Sequence, residues 1–327
     1  MVYLISLPPA SKEMEAQPTK MSAKYCSIAL PFALAFASLL PAVSAAQRSS
    51  ALGGATITIT ATSKKGSPPA VNQGDVQLSQ GKDRKQIARW VKAERLSLAI
   101  LIDDSLDSEV ATQWRDVKQF IESLPPTTLV AVGYASNGTV RIAQDFTADH
   151  ALAAKALRIP LGTPAAYSSP YLSVIDWMKR WSSTGDPRSL LLISSGIDYF
   201  RGSFGPIYPD VDTAISIAEK GNINLWSIYS PDSGHRSRSF FLVNTAQNNL
   251  SKLCVESGGE SYYLGTFAPV SFKPYLDELQ AHLSNQYLLS FAGDGGSKGK
   301  FVSIHVRTEL PQVELMHANA AWLPPAK

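Results

Sequence analysis

The sequence predicts an α/β protein: a doubly wound, mostly parallel six-stranded sheet, with a small accessory β module made from strands at the two ends of the chain. Three observations predict it. The run Leu96-Ser97-Leu98-Ala99-Ile100-Leu101-Ile102 is apolar and stops abruptly in Asp103-Asp104-Ser105-Leu106-Asp107-Ser108, which reads as a buried strand with a polar C-terminal tip. From there to residue 283, strand-like and helix-like periodicities alternate, the pattern of parallel strands with helices on both faces. The flanks carry short alternating strands separated by turn residues, too few at either end to bury a core alone.

Residues 1–46 read as a signal peptide. Met21-Ser22-Ala23-Lys24 precedes an apolar run over residues 28–40, and Pro41-Ala42-Val43-Ser44-Ala45-Ala46 has the small residues of a cleavage site after Ala45 or Ala46. The polar preamble over residues 1–20 makes Met21 an alternative start. A membrane anchor is the competing reading, opposed by the shortness of the run and by Pro31 and Pro41. The expected location is periplasmic or secreted, with no stable membrane span after cleavage. Cys26 leaves with the leader, so Cys254 stands alone, no intramolecular disulfide forms, and Cys254 joins Leu250 and Leu253 on a buried helical face.

Residues 47–95 form an N-terminal β segment. Thr56-Ile57-Thr58-Ile59-Thr60 alternates as a half-buried strand does, and strands over 76–79 and 86–91 are joined through Gln80-Gly81-Lys82-Asp83 as a hairpin. Residues 96–285 form the central domain. After the opening strand, Val110, Trp114, Val117, Ile121 and Leu124 recur at helical spacing, with Ser108 as N-cap and Pro125-Pro126 as the stop. A second strand over 127–134 pairs with 139–143 through Asn137-Gly138, an antiparallel turn. Helices over 149–157, 172–178, 211–220, 241–255 and 272–283 then alternate with strands over 189–194, 224–230 and 260–264. Residues 286–327 supply a C-terminal segment, read as a hairpin of 287–291 with 301–307 across the glycines of 293–299, and a further strand over 313–316.

The first strand tip resembles the opening metal-binding motif, D-x-S-x-S, of the von Willebrand factor type A domain, with Asp107 in place of the final serine. That resemblance implies a metal-ion-dependent adhesion site assembled from three loops at the C-terminal edge of the sheet, holding Mg²⁺ or Mn²⁺ through hard oxygen ligands. Asp103, Ser105 and Asp107 match the first loop, Thr163 in Leu-Gly-Thr-Pro the second, and Ser194-Ser195-Gly196 the third, with Ser195 where the family has aspartate. On this reading the site is degenerate, and Asp107 replaces the charge missing at Ser195. The competing reading of the same residues is structural: they cap the following helix and satisfy free backbone donors. In layout, residues 55–325 are similar to the exported bacterial proteins grouped as VWFA-related.

Function follows from the same edge. Asp198, Tyr199, Phe200, Arg201, Phe204 and Tyr208 on the loop after the third motif have the composition of a protein-binding rim, or alternatively anchor that loop on its own helix. The expectation is an exported binding or adhesion module for an unidentified protein partner, with a divalent cation at its edge; the alternative is a metal-independent structural or assembly protein. The 30 basic and 27 acidic residues leave a net charge of +3, which selects no nucleic acid. An enzyme is not expected. There is no G-x-S-x-G or H-E-x-x-H, the five histidines are scattered, and the first strand leads into carboxylates rather than a glycine-rich turn.

Overall fold

A computed structural model describes residues 54–326 apart from 65, 67, 165–166, 184, 202–207, 234–238 and 264. The leader and Phe204 lie outside the described residues. The opening run forms β5 (Leu96–Asp103), all eight of whose residues are buried. It is preceded by β1 (Gly54–Ser63), β2 (Val76–Gln80), β3 (Asp83–Lys85) and β4 (Ile87–Lys92). A 3₁₀ turn (Ser108–Gln113), α1 (Trp114–Ser123), β6 (Thr128–Ser136), β7 (Thr139–Thr147), α2 (His150–Lys155), α3 (Pro170–Arg180) and β8 (Arg188–Ser194) follow. The central domain closes with α4 (Pro209–Gly221), β9 (Ile223–Tyr229), α5 (Phe240–Glu256), β10 (Ser261–Tyr262) and α6 (Lys273–Ser284). The C-terminal strands are β11 (Gln286–Ala292), β12 (Lys300–Ser303), β13 (His305–Thr308), β14 (Val313–Met316) and β15 (Ala320–Leu323).

The central sheet has the order β10-β9-β8-β5-β6-β7 and is parallel except for β7, which returns antiparallel along β6. Alternation along β5 sends Leu98, Ile100 and Ile102 to one face, where α1, α2 and α6 cover them, and Ala99 and Leu101 to the other, under α3, α4 and α5. Both faces are therefore dry, as a parallel sheet requires. The order reverses between β5 and β8, because β6 lies on one side of β5 while the next parallel strand crosses to the other. Ligand sites of open α/β sheets lie above such a switch point.

Strands from both chain ends build the accessory module, with β14-β1-β11-β4 as one sheet, β13-β2-β3 as a second and β12-β15 as a third. Its core holds Ile57, Ile59, Leu78, Tyr287, Leu289, Phe291, Val302, Ile304 and Val306. Three expectations change here. Strand 287–291 does not pair with 301–307: β11 runs between β1 and β4, and the 301–307 run breaks into β12, paired with β15, and β13, paired with β2. The expected strand 86–91 forms as β4 but does not make the hairpin with 76–79: β3, just before it, pairs with β2, and β4 crosses to β11. The apolar face was read correctly, with Val302, Ile304 and Val306 all buried, but a buried face can be satisfied by any strand that covers it. Thirdly, Asp107 and not Ser108 caps the turn after β5, its Oδ1 accepting from the Glu109 amide at 2.9 Å.

The outer face of the β1–β11 pair meets the lower end of the central sheet through polar groups. The Thr58 amide donates to Asn222 Oδ1 at 2.7 Å, and Gln286 Nε2 to Ser189 Oγ at 3.3 Å. Cys254 is fully buried on α5, as its helical spacing predicts, and burial pushes its thiol pKa up to about 12.

Candidate functional site

The tips of β5 and β8 lie side by side above the switch point. Ile102 pairs with Ile193, so the next residues, Asp103 and Ser194, project to a common face. Asp103 is 2% exposed, and its Oδ2 accepts from the Ser194 hydroxyl at 2.7 Å. Its Oδ1 accepts from the Ser105 hydroxyl at 2.8 Å and the Ser105 amide at 3.0 Å. Burial raises the Asp103 pKa above the ordinary carboxylate value, these donors pull it back down, and the charge of Asp232 raises it.

Of the five residues matched to the metal motif, only Asp103 and Ser105 meet in this cluster. Ser195, one residue beyond Ser194 and so on the other side of the strand, accepts from the Ile197 amide at 3.3 Å. Asp107 caps its own turn, and Thr163 is exposed on the second loop. Sequence reasoning placed Ser195 at the third-loop ligand position; the third-loop hydroxyl that hydrogen-bonds Asp103 belongs to Ser194. The β5–β8 register, which a sequence does not print, makes that choice.

Neighbouring residues lock the loops together. Asp104, 3% exposed in its side chain, takes both forks of the Arg158 guanidinium at 2.7 Å, and its backbone carbonyl accepts from the Gly162 amide at 2.9 Å. Arg158 also lies 3.7 Å over the Tyr134 ring, and the bond to Asp104 raises its pKa. The loop after β9 closes the other side: the Asp107 amide donates to the Pro231 carbonyl at 3.2 Å, Leu106 bridges to Asp232, and the Ser233 hydroxyl donates to the Gly162 carbonyl. The Tyr199 hydroxyl donates to Asp232. Asp232 and Arg158 were not singled out in the sequence. The available signal for Asp232 was its place two residues after the Tyr229-Ser230 strand end.

The rim loop is anchored by the same chemistry. Asp198 accepts from Ser169 Oγ at 3.0 Å and from the amides of Phe200 and Arg201 at 3.0 and 2.9 Å; burial raises its pKa, which these bonds oppose. Arg201 pairs with Asp210 at the start of α4 at 2.9 Å, and the rings of Phe200 and Tyr167 lie 5.4 Å apart. Gly196 sits at φ +69°, where an added Cβ would meet Leu250 Cδ1 at 2.8 Å and the Ala246 carbonyl oxygen at 3.0 Å. The turn into the rim therefore requires glycine.

Apolar side chains gather above this scaffold. Among the described residues, Ile159, Leu161, Tyr167, Phe200, Phe240, Phe241, Tyr263, Phe267 and Val270 are exposed on loops or helix starts at the C-terminal edge of the sheet. They are nine of the fourteen large exposed hydrophobic residues among those described, so exposure of apolar surface there is concentrated at one edge rather than scattered.

No family model matches the chain, and no curated protein matches it. Among solved structures, the chain is similar to a von Willebrand factor type A protein from Catenulispora acidiphila, with 12% identity and a TM-score of 0.45 over 81% of this chain and 75% of that one. It is also similar to the conserved hypothetical protein BatB from Bacteroides thetaiotaomicron, with 13% identity and a TM-score of 0.43 over 58% of this chain and 97% of that one. An aerotolerance-related membrane protein from Bacteroides fragilis aligns with 10% identity and a TM-score of 0.41 over 57% and 98% of the two chains.

Proposed function

We propose that this chain is an exported protein-binding module of von Willebrand factor type A layout, which engages a partner through the loops at the C-terminal edge of its sheet. The observation that carries the reading is the concentration of exposed apolar side chains on that edge, above loops held by an ion pair to the buried Asp104 carboxylate and by hydroxyl–carboxylate bonds. A rigid base with aromatic groups on top loses little side-chain freedom when a partner docks. Export rests on the leader read from residues 1–46; among the described residues, no helix is long and apolar enough to cross a membrane.

An ion-free rim is the favoured form. Both oxygens of Asp103 already accept from hydroxyl donors, Asp107 is engaged in its cap, and Ser195 bonds its own loop. Those residues do not fit a closed Mg²⁺ or Mn²⁺ site as they stand. The competing form, with Asp103, Ser105, Asp107, Thr163 and Ser195 rearranged around an ion, predicts a rise in melting temperature with millimolar Mg²⁺ or Mn²⁺ that is lost in Asp103→Ala. The ion-free form predicts no such rise.

The binding surface is tested with a displayed peptide library selected on the purified chain. Selected peptides are expected to lose binding to a Phe240→Ser/Phe241→Ser variant and to an Ile159→Ser/Leu161→Ser variant, and to keep it with Val255→Ser, an exposed apolar site at the far end of α5. Peptides that bind all four proteins equally would refute the edge as the docking surface.

A further inference from the structure

At the opposite end of the central sheet, two carboxylates and an imidazole converge. Glu278 and His282 stand four residues apart on α6 and so share one helical face. Glu260 immediately precedes β10, held there by the Ser227 amide, which donates to its carbonyl at 3.0 Å. The three side chains each bring one ligand atom to within 4.8 Å of the others. They line a cavity of about 520 Å³ whose far wall includes Lys64, Glu314 and His317 from the accessory module.

Two further observations distinguish this group from a solvated acidic surface. His282 is only 8% exposed, and its Nδ1 lies 3.2 Å from the Tyr262 hydroxyl and 3.9 Å from Glu260 Oε2, so the imidazole is held against the carboxylates. Trp226 stacks on the ring at 5.3 Å, so one face of the imidazole is packed and its Nδ1 edge is hydrogen-bonded. Moreover, no lysine or arginine among the described residues forms an ion pair with Glu260 or Glu278; Lys64, the cation in the same cavity, holds Glu314 at 3.1 Å. Two carboxylates beside a held imidazole, with no cation to balance them, are the donor set of a divalent ion.

We infer that Glu260, Glu278 and His282 form a binding site for a divalent transition-metal ion of the Zn²⁺ or Mn²⁺ class, separate from the strand-tip cluster. Mixed nitrogen and carboxylate donors favour these ions over Mg²⁺ or Ca²⁺, which take oxygen. Three protein ligands leave positions for water, and the cavity has room for it. Ligands around an ion with bonds of about 2.1 Å stand roughly 3–4 Å apart, so the exposed Glu278 swings inward by about an ångström to close the site. The ion ties α6 to the strand edge at β10, just before the chain enters β11 of the accessory module.

The test titrates Zn²⁺, Mn²⁺ and Mg²⁺ salts separately into the full chain by calorimetry, and follows Co²⁺ by visible absorption. One Zn²⁺ per chain is expected, with Mg²⁺ at least about tenfold weaker and a melting temperature that rises with Zn²⁺. Glu278→Gln, at an exposed position that the fold does not need, and Glu260→Gln are each expected to weaken Zn²⁺ at least about tenfold and to remove the Co²⁺ bands. Asp103→Asn is expected to change neither. The absence of heat and of Co²⁺ bands up to millimolar metal overturns the site, as does binding that survives both glutamine variants or that only Asp103→Asn abolishes.

Discussion

Replacing Ser194 by alanine tests the register argument at the strand tips directly. The Ser194 hydroxyl donates to Asp103 Oδ2 at 2.7 Å and accepts from the Gly196 amide at 2.9 Å, with every atom buried. Its removal orphans a carboxylate oxygen and a backbone donor. At about 1–3 kcal/mol for each unsatisfied buried group, with the carboxylate towards the upper end, the expected loss is about 3–6 kcal/mol. Ser195→Ala orphans only the Ile197 amide, which gives up a longer 3.3 Å bond, and is expected to cost about 1–2 kcal/mol. Urea unfolding of the two variants beside the parent chain reads the difference as a shift in midpoint at constant slope. The Ser194 bond favours the ionised form of Asp103, so the deficit of Ser194→Ala is expected to shrink as acid protonates that carboxyl. Equal losses in the two variants, or a larger loss in Ser195→Ala, would show that Ser194 is not the residue facing Asp103.

Three further outcomes follow from single contacts. Arg158→Met leaves the buried Asp104 carboxylate unpaired and is expected to cost about 2–3 kcal/mol in urea, below the figure for a fully buried pair because Arg158 is 40% exposed in its side chain; Arg158→Lys, keeping the charge but losing the fork and the Tyr134 stack, costs less. Gly196→Ala combines a positive φ with a Cβ clash against Leu250 and is expected to lower the thermal midpoint by several degrees, at roughly 2–3 kcal/mol. Burial lifts Glu219 from 4.5 to about 7 while its Oε1 accepts from the Ala320 amide at 3.0 Å. Its folded-state value lies above its unfolded one, so its stabilising contribution is complete below about pH 4.5 and is lost as pH rises through 7. Glu219→Gln is expected to flatten that part of the stability profile by about 1–2 kcal/mol, after discounting for a half-exposed carboxyl; an unchanged profile would contradict the assignment.

Apolar periodicity determined the central domain almost completely. The run from Leu96 to Ile102 could only be a strand buried on both faces, and the helical spacing of Val117 and Ile121, or of Leu250, Leu253 and Cys254, assigns each helix a face. Asn137-Gly138 similarly dictates the antiparallel β6–β7 turn, because both residues take positive φ there. These features are local: each depends on side chains a few residues apart.

Pairing between distant strands was not legible in this way. The 287–291 and 301–307 runs have the right alternation for a hairpin with each other, yet β11 lies between β1 and β4, paired with β1 from Gly54–Ala292 to Thr60–Gln286. Asp103, Asp104 and the rim loop were visible as a chemical edge from the sequence alone. Which hydroxyl meets Asp103, that Arg158 holds Asp104, and that Glu260 comes to Glu278 and His282 were decided by tertiary structure. The physical reason is the same in each case. Periodicity fixes which face of a strand or helix is apolar, but the residue it confronts across a sheet is set by register, and register is a property of two segments brought together by the whole fold.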